Sequence, residues 1–421
     1  MKRLVFFLVA VLLASRAWAQ EAGKISDTDF RGRRAVTLEN ERIAVTATLG
    51  GGHIASVVLK GDGPGAGVNP LWVPIWPTIE PTDYNPLKHE ALYGKPPEGP
   101  LLASILGQNI CLDFFGPPSP EETASGIASH GEGPVAMWDV LSRKAEAGRV
   151  TLVYGATLPS AQMTVRRKIT LSPPFGKLKA ALSMAEGPQG AAAWIEETVN
   201  NQSALDRPFG WCQHVTTGPP FLEKGVTLLD MSATWGQVFP REFSKAQRLK
   251  TAAEFSWPNA PGADGKDVDL RPAPNTEASS DLTTQAMDPA REWVWCTATN
   301  PKQRVVFGYV WKRADFPWVV NWEECYGRKH SPWNGKTMAR GMEFSTTPFP
   351  VTRREAVTVG KLHDTPTYRW IPARGEITVV YAAFIAPAPE SCTGVQDVQV
   401  DGAKVKLILK GGAVIEAEGA K

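Results

Sequence analysis

Trp194-Ile-Glu-Glu-Thr-Val-Asn-Asn201, a polar link from Gln202 to Arg207, and then Trp211-Cys-Gln-His214-Val-Thr-Thr-Gly-Pro-Pro-Phe-Leu222 make up the stretch whose reading decides the fold. The first run mixes aromatic and β-branched residues with polar alternates, the period-two pattern of a strand. Gly218-Pro219-Pro220 stops the second, because proline has no N–H for a ladder and glycine tolerates a sharp turn. A histidine between such a strand and such a turn is held on a rigid edge. It is expected to face a partner outside the core, as a proton donor or a sugar ligand would.

The same texture recurs along the chain. Arg42-Ile-Ala-Val-Thr-Ala-Thr48, Arg149-Val-Thr-Leu-Val-Tyr154, Met163-Thr-Val-Arg-Arg-Lys-Ile-Thr170, Gln303-Arg-Val-Val-Phe-Gly-Tyr-Val-Trp311, Glu376-Ile-Thr-Val-Val-Tyr-Ala-Ala-Phe384 and Val405-Lys-Leu-Ile-Leu409 all read as strands bounded by turn residues. Helical spacing is thin, and 35 prolines interrupt the candidates. The proline-rich segments 72–100 and 258–274 carry too many aromatics to be flexible linkers and read as loops over a scaffold. The expected fold class is all-β: one large antiparallel β-sandwich over residues 20–421, with a hairpin-like segment over 388–421 adding edge strands.

Residues 1–19 read as an export leader. Lys2 and Arg3 precede an apolar run from Leu4 to Ala14, and Ala17-Trp-Ala19 is a small-x-small cleavage signal. The run is shorter than the roughly 20 residues that cross a bilayer, so a periplasmic or extracellular protein with no membrane partner after cleavage is expected. The leader holds Lys2, Arg3 and Arg16 and no acid, which leaves 42 basic against 43 acidic residues, a net charge of −1. A near-neutral chain lacks the basic footprint that nucleic-acid binding needs. The five cysteines form no Cys-x-x-Cys pair, so a structural zinc site has no support. An oxidising compartment permits up to two disulfides, but most of these cysteines are expected to be buried thiols.

Fifteen tryptophans are many for this length, and most are expected in ordinary packing. Trp318, Trp322 and Trp333 differ in sitting among Asn, Arg, Glu and Gly. An aromatic face beside hydrogen-bonding groups suits a pyranose ring, which stacks through its C–H face and needs partners for its hydroxyls. Three segments stand out for chemistry: Gly126-Ile-Ala-Ser-His130-Gly-Glu132, preceded by Cys111-Leu-Asp113-Phe-Phe-Gly-Pro-Pro118; the stretch around His214; and Met338-Ala-Arg340-Gly-Met-Glu343-Phe-Ser-Thr-Thr-Pro348, reached through Pro332-Trp-Asn334-Gly335.

In chain order this set resembles the aldose 1-epimerase (galactose mutarotase) superfamily. Gly50-Gly-Gly-His53-Ile-Ala-Ser56 is similar to the family's Gly-Gly-x-Ile-x-Ser opening, and His130-Gly131 to its His-Gly-Gly. Asn200-Asn-Gln, Pro208-Phe209 and His214 resemble the strand and turn that present its catalytic histidine, and Gly341-Met-Glu343 the strand that bears its glutamate. The resemblance implies a galactose mutarotase-like supersandwich and an isomerase that exchanges α and β anomers without metal or organic cofactor. His214 would be the general acid toward the ring oxygen and Glu343 the base at the C1 hydroxyl. His130, Arg340, Trp322 and Asn334 would bind a mono- or oligosaccharide. The family's Asn-His-x-Tyr-Phe is replaced here by Gln213-His214-Val-Thr-Thr.

Other readings stand beside this one. Glu323 and Glu324 rival Glu343 as the base, although adjacent strand residues face opposite ways. A non-catalytic sugar-binding protein, or a polysaccharide lyase or hydrolase with paired carboxylates, would use the same sandwich. No Gly-x-Ser-x-Gly elbow supports a serine hydrolase. His53, His89, His330 and His363 are expected in loops or at the surface.

Overall fold

The computed structural model describes residues 23–146, 149–172 and 189–419; the leader read at residues 1–19 lies outside them. Among the described residues, thirteen strands form one sheet and eleven a second. The first sheet runs from Lys24–Phe30 through Arg33–Glu39, Ile43–Thr48 and Ile54–Leu59 to Gln108–Asp113 and Arg207–Thr217. It continues through Met338–Gly341, Trp318–Cys325 and Ser279–Met287 to Ala233–Val238 and Glu254–Ser256. The second sheet centres on Val305–Lys312, Glu376–Pro387 and Gln189–Asn201, with Met163–Leu171 and Arg149–Leu158 beyond. Paired strands are antiparallel except Val414–Glu418, which runs parallel to Gln189–Asn201.

Alternation decides which side chains enter the core, since successive Cβ atoms on a strand point to opposite faces. Val150, Leu152, Tyr154, Val165 and Ile169 of the second sheet meet Val36, Leu38, Val45, Ile110 and Val215 of the first in one apolar layer. Burying each large aliphatic side chain contributes about 1.5–3 kcal/mol. Strands Trp293–Asn300, Val305–Lys312 and Glu376–Pro387 are apolar on their outer side as well. There Val398, Leu407 and Ile415 of the C-terminal strands cover Trp295, Val306, Val310 and Phe384. The outer side of the first sheet is covered differently. Cys111, Cys212, Val320, Trp322 and Ala339 pack beneath Trp72, Trp76, Leu101, Leu102 and Trp333, which come from the long loops.

Those loops hold short helices where unbroken loops were expected. Asn85 caps Pro86–Tyr93 by accepting from the Leu87 N–H, with Pro86 as the first helical residue, and Glu98–Ser104 follows. Proline lacks only an N–H that is unpaired at that position anyway, so it starts a helix that it would break further in. The five cysteines are all buried free thiols. Among the described residues, no helix is long and apolar enough to cross a membrane.

A buried polar network joins the two sheets. Arg167, on Met163–Leu171, donates to Glu197, to Tyr154 Oη and to the Gly52 carbonyl. Glu197 also accepts from Gln213 and Tyr381, while Gln213 Oε1 accepts from Gln108. Arg167, Glu197, Gln213 and Gln108 are all fully buried. Removing one partner of a buried ion pair leaves an uncompensated charge, and such a loss costs roughly 3–5 kcal/mol. Glu197→Gln is therefore expected to lower stability by about that amount, read as a fall in the urea midpoint; an unchanged midpoint would show that the network is dispensable.

Candidate active site

Strand Arg207–Thr217 positions the site. It pairs with Gln108–Asp113 on one side, so that His214 lies opposite Asn109 and Cys212 opposite Cys111. On its other side Gln213 faces Phe344, Cys212 faces Ser345, and Thr216 faces Gly341. This register sets His214 directly across from Glu343. The Met342 N–H donates to the Val215 carbonyl, and the Thr346 N–H to the Trp211 carbonyl. His214 and Glu343 therefore occupy the intervening non-hydrogen-bonded pair, where antiparallel strands bring side chains closest. Their Nε2 and Oε1 atoms are 3.3 Å apart.

The neighbours of Glu343 fix its direction. Met342 and Phe344 point into the inter-sheet core, where Phe344 stacks on Trp311 with centroids 4.5 Å apart. Glu343 is thereby turned outward, into the aromatic layer. Trp322 is brought opposite Gly341 by the neighbouring ladder, in which Glu323 pairs with Arg340 and Val320 with Glu343. A methyl group on Gly341 would lie 2.4 Å from Glu343 Oε1. The glycine leaves the space that the carboxyl group occupies.

His130 arrives from a different element. It has φ +65°, and its N–H donates to the Gly116 carbonyl while its Nδ1 accepts from the Gly116 N–H. Nδ1 is thus an acceptor, and the neutral ring carries its proton on Nε2. The His130 and His214 ring centroids are 5.2 Å apart, and Phe115 stacks on His130 at 5.3 Å. Together with Glu98, Leu101, Leu282, Arg328, Trp322 and Trp333 these residues line a cavity of about 390 Å³. That lies toward the small end of small-molecule sites, roughly 300–1,000 Å³.

The charge state follows from burial. His214 and Glu343 are 5% and 1% exposed. Desolvation raises the Glu343 carboxyl well above the usual range, against the opposing pull of Arg328. Desolvation also lowers His214 to about 4, and Arg328 adds to that shift. Burial therefore disfavours the charged form of both partners, the carboxylate of Glu343 and the imidazolium of His214. His130 is pushed well below the imidazole range by burial first, then by His214 and Arg328. Among the described residues, no group of three or more His, Cys, Asp or Glu is placed to hold a metal ion.

Of the residues singled out in the sequence, His214, Glu343, His130 and Trp322 converge on this cavity, and Arg340 and Asn334 do not. Arg340 donates to Asn321 Oδ1 and to the carbonyls of Arg271 and Leu270, and it pairs with Glu323 at 3.1 Å. Asn334 is exposed in a turn, its amide donating to the Pro332 carbonyl. Glu323 is held by Arg248 and Arg340, and Glu324 accepts from the backbone of Gly327 and Arg328. His53 is fully buried rather than at the surface, with Nε2 3.0 Å from the Pro134 carbonyl oxygen. In the sequence Arg328 and Arg340 together point weakly to an anionic sugar; only Arg328 lines the cavity, beside Phe115, to which the sequence assigned no role. The signal for Arg328 was a lone arginine between Trp322 and Trp333.

Gly341→Ala is expected to displace the Glu343 carboxyl and to cost about 1–3 kcal/mol by overpacking. A crystal structure of the variant and its thermal unfolding would check both; an unmoved carboxyl would refute the spacing role of the glycine.

No protein-family model matches the chain, and no curated protein matches it in sequence. Solved structures do match. A provisionally assigned aldose 1-epimerase from Klebsiella pneumoniae superposes with a TM-score of 0.59 at 11% identity, over 90% of each chain. A protein from Synechocystis sp. PCC 6803 gives 0.50 at 13% identity, over 86% of this chain and 99% of that one. A TPR-domain containing protein from Parabacteroides distasonis gives 0.51 at 10% identity, over 92% of this chain and 52% of its own. At such identities the likeness is one of fold, and the fold is the large antiparallel sandwich of the galactose mutarotase-like type.

Proposed function

We propose that the protein is an exported sugar isomerase that exchanges the anomers of an aldose by acid–base catalysis at His214 and Glu343. The observation that carries this reading is the placing of His214 Nε2 and Glu343 Oε1 3.3 Å apart in the wall of a cavity of about 390 Å³. Opening a hemiacetal requires one proton to be removed from the anomeric hydroxyl and one to be added to the ring oxygen. Both oxygens are bonded to the same carbon, so donor and acceptor must stand side by side. Rotation about C1–C2 and reclosure then give the other anomer.

The ionisation of the pair orders the transfers. Glu343 begins with the proton and gives it to the ring oxygen, while His214 takes the hydroxyl proton; reclosure runs the two transfers backward. This reverses the sequence-based assignment, in which His214 is the acid toward the ring oxygen and Glu343 the base at the C1 hydroxyl. His130 donates from Nε2 toward the sugar, and Trp322 offers a ring face. Export rests on the leader-like residues 1–19.

General acid–base groups contribute about 10²–10⁴-fold each. His214→Asn and Glu343→Gln are each expected to slow anomer exchange, followed by polarimetry or NMR exchange spectroscopy, by that factor. The double variant should be little slower than either single one, because the two act as a unit. Wild-type rates in both single variants would sink the assignment, and sugar binding without any acceleration would leave a binding protein.

The pH profile follows from the same shifts. His214 must be neutral to accept a proton, and its value of about 4 means that it is neutral above that pH. The rate is therefore expected to be level through the range where a free histidine titrates, near 6.5, and to fall as pH drops through about 4. An acid limb near 6.5 would show that His214 is not desolvated as described.

A further inference from the structure

Arg328 differs from the fully buried arginines in its hydrogen bonds, although Arg167 too lies over ring faces, those of Trp138 and Tyr154. Arg33 and Arg340 spend their N–H groups on backbone carbonyls, and Arg167 on Glu197, Tyr154 and Gly52. The Arg328 guanidinium lies over three ring faces, at 4.7 Å from Trp333, 5.1 Å from Trp322 and 5.7 Å from Phe243. Cation–π contacts fix the plane of a guanidinium without consuming its hydrogen-bond donors. Its Nε faces Glu324 Oε2 at 3.4 Å, which leaves the fork of the two terminal nitrogens. That side chain lines the same cavity as His214 and Glu343.

Two indole donors beside the cavity, those of Trp322 and Trp333, are unpaired among the described residues, with neither nitrogen at its surface. The two residues are 6% and 2% exposed. A buried donor left unpaired costs about 1–3 kcal/mol unless a ligand or water completes it. Besides Glu343, two carboxylates stand near Arg328, those of Glu324 and Glu98. Glu324 turns its other oxygen to the backbone N–H groups of Gly327 and Arg328, and Glu98 is exposed at the mouth.

We infer that the cavity takes an aldose bearing a carboxylate, a hexuronate, whose carboxylate is bound by the open fork of Arg328 while its anomeric carbon meets His214 and Glu343. A planar carboxylate matches one guanidinium edge through two parallel hydrogen bonds. A phosphate dianion would meet that single cation with no second arginine or lysine among the lining residues. The inference rests on the proposed anomer exchange for its catalytic half, and on the fork of Arg328 alone for its binding half.

The test compares glucuronate, glucose 6-phosphate and glucose as probes, by anomer exchange and by calorimetric titration, for wild type, Arg328→Gln and Arg328→Lys. Wild type is expected to prefer glucuronate over glucose by about tenfold to a hundredfold, the range of a charge-assisted hydrogen bond. That ratio should collapse in Arg328→Gln and stay low in Arg328→Lys, which keeps the charge but loses the fork. Circular dichroism establishes that the variants fold. Equal treatment of glucuronate and glucose by wild type overturns the inference. So does preference for the phosphate, or an equal loss on both sugars in the variants. If no sugar is exchanged, the isomerase reading fails by itself. Calorimetry then decides the subsite: glucuronate bound by wild type and released by Arg328→Gln supports it, and no binding by wild type overturns it.

Discussion

The Arg167–Glu197–Gln213 network is the constraint on which the site depends. It is a charged cluster in the middle of an apolar layer, and each member satisfies groups from the opposite sheet. Apolar faces alone would let two sheets slide, since burial by area is nearly indifferent to register. Hydrogen bonds to an ionised pair are directional, and breaking them in the interior is expensive. Gln213 belongs to this network and His214 is the next residue. Anchoring one inward therefore holds the other outward at a defined height on the strand.

From that anchor the site follows by strand geometry. His214 and Glu343 share a face because they are opposite one another on paired strands, and Phe344 keeps Glu343 outward by filling the core beneath it. Burial then does the chemistry's preparatory work. Taking both groups out of water disfavours the charged form of each and so favours a carboxylic acid beside an imidazole. A pair of that kind both gives and takes a proton without separating charge in a dry cavity. The aromatic layer that covers the site also carries Arg328 on its ring faces, and so joins the His214–Glu343 pair and the Arg328 side chain in one wall.

Much of the fold was legible in the chain. The runs at 149–154, 163–170, 303–311 and 376–384 lie within or largely overlap observed strands, because period-two alternation depends only on which residues meet water. His214, Glu343, His130 and Trp322 were legible as candidates through their order along the chain. Asn334 lies in an exposed turn, and Arg340 was misplaced for a physical reason. On a strand the neighbour of an inward residue points the other way, and sequence does not say which face holds the ligand. Arg340 sits three positions before Glu343 and therefore faces Glu323 and the carbonyls of Leu270 and Arg271. The helix at Pro86 was hidden because proline reads as a breaker unless its position relative to the cap is known.

Composition and alternation by themselves determined an all-β chain, its punctuation by turns, and a short set of histidines and carboxylates able to move protons. Tertiary structure decided which of them meet. The pairing of residues more than a hundred positions apart is set by ladder register and by the buried network, neither of which is a local property of the chain. The ionisation of the pair was likewise settled only in three dimensions, because desolvation depends on what the fold stacks above a side chain rather than on its neighbours in sequence.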